Sequence, residues 1–375
     1  MRKHLFVILS THGHIFPAIK FAHSLQRGGH DVLFVTANEY LCLLAVYGLR
    51  CIGVTNSPHY FLSTIDWYTE EANRNQVRVI ADIVESYRPD AIVTNPLALS
   101  AFIIAERYAI ETTVIGYCEY LYPEVATDHA TKQWRINVVT EYYNRVRRMF
   151  DLAEIPVDRV NSPLIGDRYL LRSIPQFHDY EELPSQVEYV GGLYWEPDYV
   201  NVGLDAFVAE SRRDNRALLY VQIGRLFEKG DAWSRLVDGL KDLPVGCVVD
   251  TGRADYFGTG FERPPHFYFD SFIPIGHVKD AVDAVICSGQ STSVISAILH
   301  GKQLICMPYS DDSRELTARV ERKGIGVGID AGSDLGRDRI AACFDRVRND
   351  TFTENVVAYQ QLFLQWEKSY PLLAQ

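Results

Sequence analysis

Residues 284–308 read AVICSGQSTSVISAILHGKQLICMP. Ala284 to Cys287 is an apolar run of the length of a buried strand. Ser288-Gly289-Gln290 breaks it, and Ser291, Thr292 and Ser293 then offer N-caps to a helix. Val294, Ile295, Ala297, Ile298 and Leu299 carry that helix, and Gly301 can end it in the left-handed conformation. Gln303 to Met307 is the next buried strand, stopped by Pro308. The spacing predicts a strand–loop–helix–strand unit, from which parallel sheets are built. A Gly-containing turn that opens onto a capped helix N-terminus is also a ready anion site. An ordinary crossover without a ligand has the same pattern, so the turn alone does not decide function.

The same alternation extends in both directions. Toward the C-terminus come Ile325 to Ile329 as a strand, Arg337 to Val347 as a helix, and a long last helix from Thr353 to Trp366. Val356, Val357, Tyr359, Gln360 and Phe363 give that helix an apolar stripe. Upstream, Ala217–Ile223, Val245–Asp250 and His266–Phe269 read as strands, with Trp233–Leu240 helical. The polar stretch Trp195 to Arg216 reads as a domain linker. The first half repeats the pattern. Leu5–Leu9 is a strand and Ser10-Thr11-His12-Gly13-His14 a polar loop. Pro17 is placed in the first turn of a helix, which Gly28-Gly29 stops. Strands follow at Val32–Thr36, Arg50–Val54, Ala91–Thr94, Thr112–Tyr117 and Val187–Leu193, with helices at Asn38–Tyr47, Val77–Tyr87 and Ala98–Tyr108. Such alternation implies α/β architecture with open, doubly wound parallel sheets. Tyr117 to Phe150 differs: it is rich in aromatics, including Tyr117, Tyr120, Tyr122, Trp134, Tyr142 and Tyr143, and its helix carries Arg145, Arg147 and Arg148. This composition fits core packing with a solvated basic face, or a wall for an apolar ligand.

With 375 residues, the chain is long enough for two domains. It is 47% hydrophobic and 23% charged, ordinary for a soluble globular protein. A net charge of -11 argues against nucleic-acid binding, which calls for a basic face. The apolar run Leu5–Leu9 is too short for a secretory leader and no run approaches the roughly 18 residues of a membrane span. The seven cysteines show no CxxC or zinc spacing and read as small buried hydrophobes of a reduced, cytoplasmic protein without a metal site.

His12-Gly13-His14-Ile15-Phe16-Pro17, followed by Gly28-Gly29-His30-Asp31-Val32, resembles the N-terminal signature of family 1 glycosyltransferases of the GT-B fold. Gly191-Gly192-Leu193 resembles the turn before their linker, and Leu219 to Gly224 the first strand of their nucleotide-sugar domain. Phe272-Ile273-Pro274, Ser288-Gly289-Gln290, Gly301 and Asp312 fall in order along their donor motif. The resemblance covers nearly the whole chain. It implies two Rossmann-like domains, residues 1–195 for the acceptor and 196–352 for the nucleotide sugar, facing a cleft. Residues 353–375 would cross back to the first domain.

It further implies an inverting, metal-independent transferase with no cofactor beyond its nucleoside-diphosphate sugar, from TDP or UDP. The acceptor would be a small apolar or aromatic natural product. His14 takes the position of the family's catalytic base, with Asn95 where the family has the Asp that orients it. Gly224, Arg225, Phe272, Ile273, Ser288, Gly289, Gln290, Ser291, Thr292, Ser293, Asp312 and Ser313 fall on the donor side, with Arg225 proposed on the diphosphate. His12, Phe16, Tyr117, Glu119, Tyr120 and Trp134 fall on the acceptor side. Four positions depart from the family: Ser288 stands for its His, Ser296 for its ribose-binding Glu, Asp312-Ser313 for Asp-Gln, and Asn95 for Asp. Two further readings stay open: a lipid-linked acceptor, with Arg145, Arg147 and Arg148 toward a membrane, and a non-catalytic homologue that binds a ligand or a partner. A homodimer is left open as well.

Overall fold

The computed structural model describes residues 1–54, 62, 66–121, 129–157, 162–180, 182–224, 231–252, 263–330, 332 and 335–370. Arg225, Tyr122 and the side chain of Glu119 lie outside them. The chain divides into two units, residues 1–195 with 365–375, and residues 196–364.

The first unit is a parallel sheet with helices. Its elements are β1 (Lys3–Val7), α1 (His12–Arg27), β2 (Asp31–Ala37), α2 (Leu41–Val46), β3 (Arg50–Val54), α3 (Glu70–Tyr87), β4 (Ala91–Thr94), α4 (Leu99–Tyr108), β5 (Glu111–Gly116), α5 (His129–Arg148), β6 (Arg168–Leu171) and β7 (Val187–Tyr189). The strand order is β3-β2-β1-β4-β5-β6-β7. Leu5, Phe6, Val7, Ile92 and Val93 are fully buried, as expected for strands covered on both faces. β6 escaped the sequence reading, because the four residues Arg-Tyr-Leu-Leu show neither alternation nor a long apolar run.

The second unit repeats the plan with α6 (Val202–Arg213), β8 (Ala217–Gln222), α7 (Ala232–Lys241), β9 (Val245–Asp250), β10 (Phe267–Asp270), α8 (Ile275–Val278), β11 (Ala284–Cys287), α9 (Ser291–Leu299), β12 (Gln303–Cys306), α10 (Asp311–Arg322), β13 (Gly326–Gly328), α11 (Arg337–Val347) and α12 (Asp350–Ser369). Its order is β10-β9-β8-β11-β12-β13, and the pairing along β8–β11 and β11–β12 is parallel. The stretch read as a linker contains α6, whose N-cap Asn201 accepts a hydrogen bond from Leu204 N–H at 3.1 Å.

α12 belongs to the second unit through Leu364 and to the first from Gln365. Within the first unit, Trp366 Nε1–H donates to the Tyr189 carbonyl at 2.8 Å. Tyr370 O–H donates to Glu188 Oε2 at 2.7 Å. Of the expected stripe on α12, Val356 and Phe363 are fully buried but Val357 is exposed.

Two other readings are corrected. α1 starts at His12, so His12, Gly13 and His14 form its first turn and Pro17 lies inside the helix. Proline has no N–H for the carbonyl four residues back, and the Gly13 carbonyl instead accepts from Tyr117 O–H at 2.7 Å. Of the three basic residues on α5, Arg145 and Arg148 are exposed, as a solvated face has them, and Arg147 alone departs from that reading. Arg147 is buried, bonds Glu106 at 2.8 Å and the Ala153 carbonyl at 2.6 Å, and Arg148 pairs with Glu154. The cysteines are all free thiols, five of them buried, with Cys51 half-buried and Cys42 exposed.

Candidate functional site

In an open parallel sheet the loops at the carboxyl ends of two neighbouring strands diverge where the strand order reverses, and ligands bind there. In the first unit that point lies between β1 and β4. It collects the His12–His14 turn after β1 and Asn95 after β4.

His14 is half-buried in the first turn of α1, and its Nδ1 lies 2.7 Å from Thr11 Oγ1. Its ring meets Tyr117 edge-on at 6.0 Å. Tyr117 is held from three sides: its O–H on the Gly13 carbonyl, the Arg172 guanidinium donating to its oxygen at 2.9 Å and stacking at 5.2 Å, and Tyr169 O–H on its carbonyl at 2.6 Å. Arg172 is itself buried and donates through Nε to the Gly192 carbonyl at 3.0 Å. Tyr117 therefore braces the turn that carries His14.

Asn95 does not orient His14. It is buried, accepts from Leu9 N–H at 3.0 Å and donates to the Ile115 carbonyl at 3.4 Å. Its amide ties the ends of three strands together, and the group on His14 Nδ1 is Thr11.

The remaining acceptor-side residues separate. His12 is exposed and stacks on Phe16 at 4.9 Å, with Tyr40 edge-on at 5.9 Å. Trp195 packs on Phe16 at 5.2 Å and on Tyr47 at 4.7 Å. Tyr120 is half-buried against the main core of the unit. Trp134 stands 61% exposed on α5, outside that aromatic cluster. Thr11, Arg172, Tyr40, Tyr47 and Trp195 were not singled out in the sequence. Only Thr11 had a local signal, three residues before His14 at the helix start.

In the second unit the reversal lies between β8 and β11, which brings Gly224 to the Ser288-Gly289-Gln290 turn. A Cβ on Gly224 would lie 3.4 Å from Gln290 Oε1 and 3.8 Å from Ser288 Oγ. Gly289 has φ +71°, the region that glycine tolerates. Gln290, not a serine, is the N-cap of α9, and its Nε2–H donates to the Tyr309 hydroxyl oxygen at 2.6 Å. Ser291 and Thr292 are half-buried in the first turn. Ser293 O–H donates to Gln222 Oε1 at 2.8 Å. Ser288 Oγ is fully buried with no hydrogen-bond partner.

A buried chain links this turn to the Phe272–Pro274 loop. Gln222 Nε2 donates to Asp250 Oδ2 at 2.8 Å, and Tyr220 O–H lies 3.2 Å from the same oxygen and 2.7 Å from the Ile273 carbonyl. Burial pushes the Asp250 carboxyl up to about 6, against the opposing hydrogen bonds from Gln222, the Gly252 backbone, Tyr220 and the Ile273 backbone. Phe272 is half-buried and meets Tyr199 edge-on at 6.3 Å. Glu196 accepts from Ile275 and Gly276 N–H, both at 3.0 Å, and fixes the start of α8.

Ser313 is not free to hold a ligand. It donates to the Ser310 carbonyl at 2.9 Å and accepts from Tyr309 and Ser310 N–H, completing a capping box on α10. Its neighbour Asp312 is half-buried in the first turn of that helix. Among the described residues no cluster of His, Cys, Asp or Glu could hold a metal ion, and no helix is long and apolar enough to cross a membrane.

No family model matches the chain. It is 20% identical to a sterol 3-beta-glucosyltransferase of Pichia angusta over 94% of its own length, but spans 31% of that relative. It is 22% identical to the 4'-demethylrebeccamycin synthase of Lentzea aerocolonigenes, with 84% of this chain and 85% of that protein aligned. Among solved structures, the spinosyn rhamnosyltransferase SpnG complexed with thymidine diphosphate superimposes with a TM-score of 0.68 at 18% identity, covering 97% of this chain and 96% of that one. With its two doubly wound parallel sheets, and with that likeness running over almost its entire length, the chain has the GT-B fold of glycosyltransferases.

Proposed function

We propose that this protein is a glycosyltransferase that moves a sugar from a UDP- or TDP-sugar to the hydroxyl of a small apolar acceptor. The observation that carries this reading is Ser288. Its hydroxyl is buried without a partner beside a left-handed Gly289, at the N-terminus of α9. A buried unpaired hydroxyl costs about 1–3 kcal/mol, which an oxygen of the donor diphosphate would offset. The N–H groups at the start of α9 add donors and a positive helix end. The thymidine diphosphate in SpnG and the sterol 3-beta-glucosyltransferase among the relatives support sugar transfer from a donor of this class.

His14 is the base in this reading. The base needs the tautomer with its proton on Nδ1, 2.7 Å from Thr11 Oγ1, so that Nε2 carries the lone pair that takes the acceptor hydroxyl's proton. Attack by that oxygen on the anomeric carbon opposite the departing diphosphate inverts the centre, with no metal required. No carboxylate at position 95 stabilises the imidazolium, so the acceptor best served is one whose hydroxyl is already acidic, such as a phenol.

The test is calorimetric titration with UDP-glucose and TDP-glucose beside turnover measurements. Ser288→Ala should weaken donor binding about tenfold while stabilising the free protein by roughly 1 kcal/mol, because it removes an unpaired polar group. His14→Ala should lower kcat on the order of 10²-fold and leave donor affinity unchanged. A protein that binds neither nucleotide sugar and releases no diphosphate is not a transferase of this kind.

A further inference from the structure

The peptide that joins Gly13 to His14 is held on both sides. Its N–H donates to the Thr11 carbonyl at 3.0 Å. Its carbonyl would serve the N–H of residue 17 in an unbroken helix, and Pro17 has none. The Tyr117 hydroxyl takes that place at 2.7 Å. Chemistry fixes the direction of each bond that follows. A carbonyl only accepts and a guanidinium only donates. The Tyr117 proton therefore points to Gly13, and Arg172 Nη1–H points to the Tyr117 oxygen at 2.9 Å. Consecutive bonds of this kind polarise and strengthen one another. Arg172 is buried, and its Nε–H is anchored on the Gly192 carbonyl at 3.0 Å.

We propose that Arg172 and Tyr117 are positioning residues for the base, acting as a relay from the Gly192 turn through the Tyr117 hydroxyl to the Gly13–His14 peptide. The relay holds that peptide at the angle that keeps the His14 ring between Thr11 Oγ1, at 2.7 Å, and the edge of the Tyr117 ring. Two features of Tyr117 suit this role better than a place among the acceptor's ligands. Its one proton is committed to the Gly13 carbonyl. Its backbone is fixed as well, because Tyr169 O–H donates to its carbonyl at 2.6 Å. The relay also accounts for a proline inside α1: the helix gives up one of its own bonds at Gly13, and a residue from beyond β5 gains hold of the turn. The consequence for turnover rests on the function proposed above, with His14 as base.

The test is nuclear magnetic resonance of the full-length chain, labelled with 13C at the glycine carbonyls and 15N at the histidines. Gly13–His14, Gly29–His30 and Gly276–His277 are its three Gly–His peptides, so the correlated spectrum holds three signals and two of them serve as references. Tyr117→Phe should shift the Gly13 carbonyl signal toward that of an unbonded carbonyl and change the His14 ring nitrogen signals with it. Arg172→Gln should do the same to a smaller extent. Its amide nitrogen stands where Nε bonds Gly192, but nothing is left to reach Tyr117. Pro17→Ala restores the N–H that the helix lacks, so adding Tyr117→Phe to it should move neither signal further. The second arm is turnover of UDP-glucose and TDP-glucose with 4-nitrophenol. Tyr117→Phe should lower kcat about tenfold at an unchanged acceptor KM, and by less than about twofold in the Pro17→Ala background. Unmoved signals in Tyr117→Phe, or equal losses of kcat in both backgrounds, overturn the proposal. So does a raised acceptor KM with kcat intact, which would make Tyr117 a ligand of the acceptor. Signals that respond as expected without turnover of either sugar uphold the hold on His14 and refute the transferase reading instead.

Discussion

Gly289→Ala tests the geometry of the turn that precedes α9. Two separate penalties follow from the structure. The backbone is left-handed, with φ +71°, which costs a residue with a Cβ about 1–2 kcal/mol. The new methyl would also lie 2.5 Å from Thr317 Oγ1 and 3.0 Å from the Ser313 carbonyl oxygen. Both neighbours belong to α10, which the Ser310–Ser313 capping box fixes in place, so the overlap adds about 1–2 kcal/mol more. Urea denaturation should then show a loss of about 3 kcal/mol. In a Thr317→Ala background the closest overlap disappears while the backbone penalty and the Ser313 contact remain. There the same substitution should cost about 2 kcal/mol, and the difference is the coupling that a double-mutant cycle reads. A loss below about 0.5 kcal/mol in the wild-type background would refute the left-handed turn. Equal losses in both backgrounds would refute the contact with Thr317.

Two more substitutions probe buried polar groups. Asp250 binds its proton more tightly in the fold, about 6 against an ordinary 3.8. Its stabilising effect is therefore complete below about pH 4 and is lost as pH rises to about 6, a loss of about 3 kcal/mol that Asp250→Asn should not show in urea titrations across that range. Asn95→Asp should destabilise by about 2–3 kcal/mol at neutral pH, because a carboxylate would face the Ile115 carbonyl that Asn95 Nδ2 now serves. That variant should recover stability as pH falls toward the raised carboxyl value, and a variant as stable as the wild type at neutral pH would contradict the assignment of the amide.

The alternation of short apolar runs with helical periodicity was legible in the chain itself, and so was the α/β class. The His12-Gly13-His14 and Ser288-Gly289-Gln290 turns were legible too, because strand ends, glycines and helix starts leave local marks. Gly301 takes the left-handed conformation after α9, as its position announced. What the sequence placed wrongly or missed depends on partners distant along the chain. The Gly13 carbonyl, orphaned by Pro17, finds Tyr117 104 residues away. Asn95 sits where the resemblance put a partner for His14, yet the packing of β1 and β5 claims both ends of its amide. Arg172 and Asp250 carry no local signature, since each is a single polar residue at the end of a short strand. Their contacts exist only once the Gly192 carbonyl is folded against Arg172 and the Tyr220 and Gln222 side chains against Asp250. Periodicity and spacing report the backbone's local preferences, which act within a few residues. Which buried donor meets which buried acceptor is decided by desolvation, which penalises every polar group that the tertiary packing leaves unpaired.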